Sequence, residues 1–290
     1  MRIVILGGSG MLGHKLWQYF SPKFPDTFVT LRRSQANYQK FNLFNNKENI
    51  FFGVDALVFS EIEKVLRQTK PDIILNCIGI TKRRAEMDDA VLAITVNSLL
   101  PHRLAAWGVK HKAKVVQFST DCVFDGKSGN YLEDSPTCAQ DIYGKTKALG
   151  ELKTGNTLTL RSSFIGPELF ERSELLEWFL SQTGEVKGFK KAIYSGLTTI
   201  ELCRVVEKIL VNYPQAQGLY NVSSEPISKY DLLMLIKQKM NLAVKIIPED
   251  KFCCNRTLNS LKFRSAFKYV PPTWGQMIEE LAQELKGRKL

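Results

Sequence analysis

No stretch of this 290-residue sequence is apolar for long enough to cross a bilayer. The longest uncharged run, around Ile73 to Ile78, is far short of the roughly 18 to 20 residues a spanning helix needs, so no membrane partner is expected. No basic leader with a long apolar core precedes the first strand-like run, Arg2-Ile3-Val4-Ile5-Leu6. An export signal is therefore not expected, and cytoplasmic placement is the simplest reading. Nineteen glycines and eleven prolines are too few for collagen-like or linker-dominated sequence, and no self-similarity points to a repeat architecture. The six cysteines, Cys77, Cys122, Cys138, Cys203, Cys253 and Cys254, include no CxxC pair. The three histidines show no ligand spacing either, so free thiols and no metal site are expected.

What is present is a basic, core-forming chain: 44% apolar residues, 40 basic against 29 acidic side chains and a net charge of +11. That surplus suits an anionic partner. The basic runs Arg32-Arg33, Lys82-Arg83-Arg84 and Lys190-Lys191 are short and scattered, which fits a phosphorylated small molecule and does not favour nucleic acid.

Strand-like runs at 2–6, 27–31, 50–54, 72–77, 114–118 and 157–161 alternate with helix-period stretches such as 11–21, 57–68 and 88–111. This alternation predicts an α/β fold, a Rossmann-like doubly wound parallel sheet. The rhythm loosens after about Ser162, with helical patterns at 172–182, 199–212, 228–240 and 276–287 and apolar runs at 218–222 and 243–247. We expect residues 1–163 to form a nucleotide-binding domain and 164–290 a smaller C-terminal α/β substrate lobe, some segments of which pack back on the first domain.

The first strand runs into Gly7-Gly8-Ser9-Gly10-Met11-Leu12-Gly13. Glycines at the first, fourth and seventh places opening a helix make a phosphate loop: Gly7 allows the turn, Gly10 the approach of a pyrophosphate, and Gly13 close helix packing. Gly7, Gly10, Met11, Leu12 and Gly13 are the expected contacts. The second strand ends Val29-Thr30-Leu31-Arg32-Arg33, without the carboxylate that would accept from a ribose 2′-hydroxyl. Two guanidiniums there suit a 2′-phosphate, so NADP(H) is expected over NAD. Further on, Tyr143 and Lys147 lie four residues apart on one helical face. Acid–base work by a phenol needs its pKa lowered by about 3 units, the direction in which a neighbouring ammonium acts. Phe118-Ser119-Thr120-Asp121 brings two hydroxyls to a strand end some 23 residues upstream, at the sheet edge where open α/β folds keep their sites.

With these residues in place, the chain resembles the extended short-chain dehydrogenase/reductases, and more narrowly the dTDP-4-dehydrorhamnose reductase family. The resemblance rests on Gly7 to Gly13, Asn76-Cys77-Ile78-Gly79, Val96-Asn97 and Ser119 to Gly126. It rests also on Tyr143 to Lys147 with Gly150-Glu151, and on Arg256 to Leu261. It implies that Thr120, Tyr143 and Lys147 are catalytic: Tyr143 as proton donor, Lys147 on the nicotinamide ribose, Thr120 on the developing oxyanion. It also implies cofactor contacts from Cys77, Ile78, Gly79 and Asn97, the last as a brace of the lysine region or else a buried helix asparagine making only structural bonds, and an adenine contact at Asp55, which a helix N-cap would explain equally well. Arg256 is expected on the substrate's phosphates, with Asp121, Cys122 and Phe164 lining the substrate.

Three positions depart from the family: Cys122 where tyrosine is usual, Phe164 where tryptophan is common, and Thr257 where proline is usual. The substrate can therefore differ from the sugar that names the family. Sugar-nucleotide dehydratases carry glutamate directly after the Thr-Asp pair, and the thiol of Cys122 cannot replace it near neutrality, so dehydration is disfavoured. The expected function is NADPH-dependent reduction of a nucleoside-diphosphate 4-keto-6-deoxy sugar, for deoxysugar donors of surface polysaccharide. The alternative is a non-catalytic NADP-binding subunit, as in the methionine adenosyltransferase β subunit. Oligomeric state stays open, a homodimer included.

Overall fold

The computed structural model describes residues 1–45, 48–170 and 173–286. Strands β1 (Ile3–Leu6), β2 (Thr27–Leu31), β3 (Ile50–Phe52), β4 (Ile73–Asn76), β5 (Lys114–Ser119) and β6 (Thr157–Arg161) are interleaved with helices. Those helices are α1 (Met11–Phe20), α2 (Phe59–Thr69), α3 (Ala90–Ile94), α4 (Leu100–His111) and α5 (Ile142–Leu149). The chain continues through β7 (Phe164–Ile165), α6 (Leu175–Leu180), β8 (Glu185–Tyr194), β9 (Leu197–Thr198), α7 (Thr199–Asn212) and β10 (Gly218–Asn221). It ends with β11 (Ile227–Ser228), α8 (Lys229–Met240), β12 (Lys245–Asn255), α9 (Leu261–Phe267) and α10 (Trp274–Lys286).

The main sheet has the order β10-β6-β5-β4-β1-β2-β3. Pairings β1–β2, β1–β4, β2–β3 and β4–β5 are all parallel. This is the expected Rossmann-like fold. Ile3, Val4, Ile5 and Leu6 are fully buried, as strands covered on both faces by helices must be. Helix α1 buries Leu12, Leu16, Trp17 and Phe20, each side chain contributing up to about 1.5–3 kcal/mol. The order turns back between β1 and β4, so Gly7 after β1 and Cys77 after β4 flank the crevice where such sheets bind ligands.

Contacts divide the described chain into two interleaved units. Unit 1 comprises 1–119, 141–160 and 215–219; unit 2 comprises 120–140, 161–214 and 220–290. The break expected after Ser163 falls near one of these boundaries, but residues 120–140 join unit 2 and 215–219 join unit 1. In unit 2, β8 lies between β12, which is parallel to it with a register break between Glu249 and Cys253, and antiparallel β11. The sequence pattern points only to a short run at 243–247. Exposed, alternating polar positions conceal the rest of this strand pair. The stretch 88–111 is no single helix: a π-helical turn at Thr95–Leu99 joins α3 to α4 and carries Asn97. Residues 172 and 287, at the ends of two expected helices, lie outside the described residues.

Candidate active site

In unit 1 the glycine loop is held from both sides. Gly7 has φ +81°, open to glycine at little cost, and its N–H donates to Thr30 Oγ1 at 3.2 Å. The Gly8 N–H donates to the Thr30 carbonyl at 2.9 Å. A Cβ on Gly13 would lie 2.1 Å from the Gly7 carbonyl oxygen, so only glycine lets α1 start this close to the loop. A Cβ on Gly10 would find nothing nearer than 3.5 Å. The protein's own packing therefore requires Gly13 and leaves the space over Gly10 open, which is what a bound pyrophosphate needs at the N-terminus of a helix. Met11 and Leu12 open that helix.

Arg32 and Arg33 follow β2 directly and both are exposed, with the Arg33 N–H donating to the Tyr38 hydroxyl at 3.2 Å. Asp55 lies beyond the end of β3. Its Oδ1 accepts from Leu57 N at 3.0 Å, whereas the N-cap of α2 is Val58. The helix-cap account of Asp55 is thereby corrected: its carboxylate closes a turn ahead of the helix. Across the crevice, a Cβ on Gly7 would lie 2.9 Å from Ile78 Cγ1, and one on Gly79 would lie 3.4 Å from Asn97 Oδ1 and 3.9 Å from Lys147 Nζ. Cys77, Ile78 and Gly79 thus run from the glycine loop to the lysine. Burial pushes the Cys77 thiol up, so it is no nucleophile.

Asn97 is buried and makes three hydrogen bonds through its side-chain amide. Its Oδ1 accepts from Ile80 N at 2.9 Å; its Nδ2 donates to the Ile80 carbonyl at 3.0 Å and to Thr146 Oγ1 at 3.3 Å. One side chain therefore ties the loop after β4 to α5. That helix is capped by Asp141, whose Oδ1 accepts from Gly144 N at 2.8 Å and whose Oδ2 pairs with Lys82 at 2.7 Å. Neither Lys82 nor Asp141 stands out in the sequence as a site residue. Both signals, an N-cap two residues before Tyr143 and a basic run after the fourth strand, were present but depended on a tertiary contact.

Tyr143 stands in the first turn of α5, half-buried, and Lys147 one turn on, buried. Lys147 Nζ donates to the Phe118 carbonyl at 2.7 Å. Desolvation lowers its pKa to about 8, against the raising influence of Glu151 and then Cys77. An ammonium has three donors, so two remain for a ligand. Glu151, also buried, accepts from Ser119 Oγ at 2.7 Å.

In unit 2, Thr120 follows β5 and opens a short 3-10 turn. Its Oγ1 donates to Asp121 Oδ1 and accepts from Cys122 N, both at 3.1 Å. Its single proton must turn away from Asp121 to serve any other acceptor. Arg256 Nε donates to the Phe124 carbonyl at 2.9 Å, and its Nη1 lies 3.7 Å from Cys122 Sγ. Cys122 is pushed up to about 12, by burial first and then by Asp121. The segment is braced from beneath: the buried Arg161 guanidinium lies 5.0 Å over the Phe124 ring, and Phe124 stacks on Tyr131 at 4.1 Å. Phe164, in β7, pairs with Leu197 of β9.

The chain as a whole has relatives among known proteins. The chain is 25% identical over 308 residues to dTDP-4-dehydrorhamnose reductase of Aggregatibacter actinomycetemcomitans, covering 97% of this chain and 98% of the relative. It is 26% identical over 255 residues to methionine adenosyltransferase 2 subunit beta of Xenopus tropicalis, covering 83% and 72%. The crystal structure of dTDP-4-dehydrorhamnose reductase from Bacillus anthracis in complex with NADP superposes with a TM-score of 0.80 at 21% identity, covering 98% of this chain and 99% of that one. Residues 1–165, which contain the glycine loop, the paired arginines and the Tyr143–Lys147 helix, match the family described as RmlD substrate binding domain. With more than half of its length matched, the chain belongs to that family.

Proposed function

We propose that this protein reduces the 4-keto group of a nucleoside-diphosphate 4-keto-6-deoxy sugar with NADPH, in the cytoplasm, on the way to deoxysugar donors for surface polysaccharide. The carrying observation is Lys147, a buried ammonium held by the Phe118 carbonyl one helical turn from Tyr143. In this reading residues 1–163 hold the cofactor and 164–290, together with Asp121 and Cys122, hold the sugar nucleotide. The open face of Gly10 and the exposed Arg32 and Arg33 fit a pyrophosphate and a 2′-phosphate.

NADPH, when bound, supplies the hydride. Tyr143 donates its phenolic proton to the sugar carbonyl oxygen, and Lys147 binds the ribose with its remaining donors while its charge favours the phenolate left behind. Thr120, its hydroxyl turned from Asp121, hydrogen-bonds the developing oxyanion. Asn97 acts as a positioning residue, and Arg256 binds the diphosphate, a role suited to a guanidinium.

Tyr143→Phe keeps the ring and removes the proton. Folding and NADPH binding should survive, while NADPH oxidation with a 4-keto-6-deoxy nucleotide sugar should fall by about 10²- to 10⁴-fold. A native protein that oxidises NADPH with no such sugar, yet changes the activity of a partner enzyme, would replace this reading with that of a regulatory subunit.

A further inference from the structure

Unit 1 buries a carboxylate that the mechanism above does not use. Glu151 follows Gly150, the C-cap of α5, and its side chain is buried. Carboxylates are almost never buried unless paired, and the carbonyl end of a helix adds partial negative charge that opposes one there. The chain nonetheless fixes Glu151 from both sides. A Cβ on Gly150 would lie 2.0 Å from the Asn97 carbonyl oxygen, so only glycine lets α5 end against the π-helical turn. On the other side the Leu152 N–H donates to Thr159 Oγ1 at 3.0 Å, and that hydroxyl donates to the Leu152 carbonyl at 2.7 Å.

Between these anchors Glu151 Oε1 accepts from the buried Ser119 Oγ at 2.7 Å. Lys147, four residues earlier in the last turn of α5, donates to the carbonyl of Phe118, the residue before Ser119. Consecutive Cα atoms are about 3.8 Å apart. Ammonium and carboxylate therefore leave one helix end and arrive at neighbouring residues of one strand, out of water, where salt screens them little. The other titratable groups on the elements round Lys147 supply no competing anion. Burial keeps Cys77 a neutral thiol, Tyr143 is the phenol one turn away, Asp141 at the far end of α5 is paired with Lys82, and Lys114 begins β5 at its opposite end. Neither α3 nor the π-helical turn carries a titratable side chain. Burial alone drives a lysine toward its neutral form, and the Glu151 charge opposes that loss.

We propose that Glu151 is a positioning residue: its carboxylate, held by Ser119, keeps the Lys147 ammonium charged and in place for the nicotinamide ribose. The inference rests on the reductase reading above and gives that reading a residue it did not contain.

The test is Glu151→Gln in the full-length protein, which keeps a carbonyl oxygen for Ser119 and removes the charge. The side-chain NMR resonances of Lys147, assigned by their loss in Lys147→Met, are followed against pH in the free protein, beside a pH profile of kcat/KM. In the native protein the lysine should titrate near about 8. In Glu151→Gln the midpoint should fall by at least about one unit, and the alkaline decline of kcat/KM should move with it. Glu151→Asp, which keeps the charge, should titrate closer to the native protein than Glu151→Gln does. An unmoved Lys147 titration in Glu151→Gln would overturn the inference, and a lowered melting temperature beside it would make Glu151 purely structural. Should Glu151→Gln not fold, Ser119→Ala decides: without the hydroxyl proton the carboxylate acts on the ammonium alone, so the titration should move to higher pH, and no movement overturns the role. A shifted titration in a protein that oxidises NADPH with no nucleotide sugar would remove the reductase reading and leave the Glu151–Lys147 coupling standing.

Discussion

The Lys147 ammonium donates to the Phe118 carbonyl at 2.7 Å and so fastens α5 to the end of β5. Burial lowers its pKa to about 8. Free in an unfolded chain, the same group titrates near 10.4. Between those values the unfolded chain binds more protons than the folded one, so stability should rise with pH from about 8 to about 10.4. Activity should move the other way. In the free enzyme kcat/KM should decline above pH of about 8 as Lys147 loses its charge, and Lys147→Met should abolish both the decline and the rise in stability. Urea unfolding across that range, beside a pH–rate profile, measures the two limbs, and parallel trends would contradict the assignment.

The glycines of the loop separate packing from binding. Gly13→Ala drives a methyl to 2.1 Å from the Gly7 carbonyl and should destabilise the protein by about 1–3 kcal/mol. Gly10→Ala meets nothing within 3.5 Å and should change stability by less than about 1 kcal/mol. Its methyl would occupy the side from which a pyrophosphate approaches, so NADPH affinity should fall at least tenfold. Thermal unfolding paired with NADPH titration distinguishes the two, and undiminished affinity in Gly10→Ala would remove the cradle role.

Arg32 and Arg33 are exposed at the end of β2 with no acidic residue beside them in the sequence. A charge-assisted contact to a 2′-phosphate is worth about 1.5–3 kcal/mol, so NADPH should bind on the order of 10- to 100-fold more tightly than NADH. The Arg32→Ala, Arg33→Ala double variant should lose most of that margin by weakening NADPH and leaving NADH nearly unchanged. Calorimetric titration with both cofactors reads it directly. Equal affinities in the native protein would end the argument.

The parallel sheet was legible because its strands are covered on both faces and therefore read as unbroken apolar runs, as Ile3 to Leu6 and Ile73 to Leu75 do. The glycine loop and the Tyr143–Lys147 pair were legible for a related reason: loop chemistry and helical spacing are local, and local rules act within a few residues. The β8–β12 pair was not, since its exposed, mixed faces carry no period that distinguishes them from loop. Residue type and spacing alone determined the nucleotide-binding fold, the Tyr143–Lys147 pair and the expected cofactor, while Thr120 joined that pair as what the family resemblance implies. Tertiary structure decided that Asn97 ties Ile80 to Thr146, that Asp141 and Lys82 pin α5, that Cys122 meets Arg256, and that Ser119 holds Glu151. These contacts join residues 17 to 134 positions apart. Burial and hydrogen-bond satisfaction at such separations depend on where the folded chain brings distant groups, which no local pattern encodes.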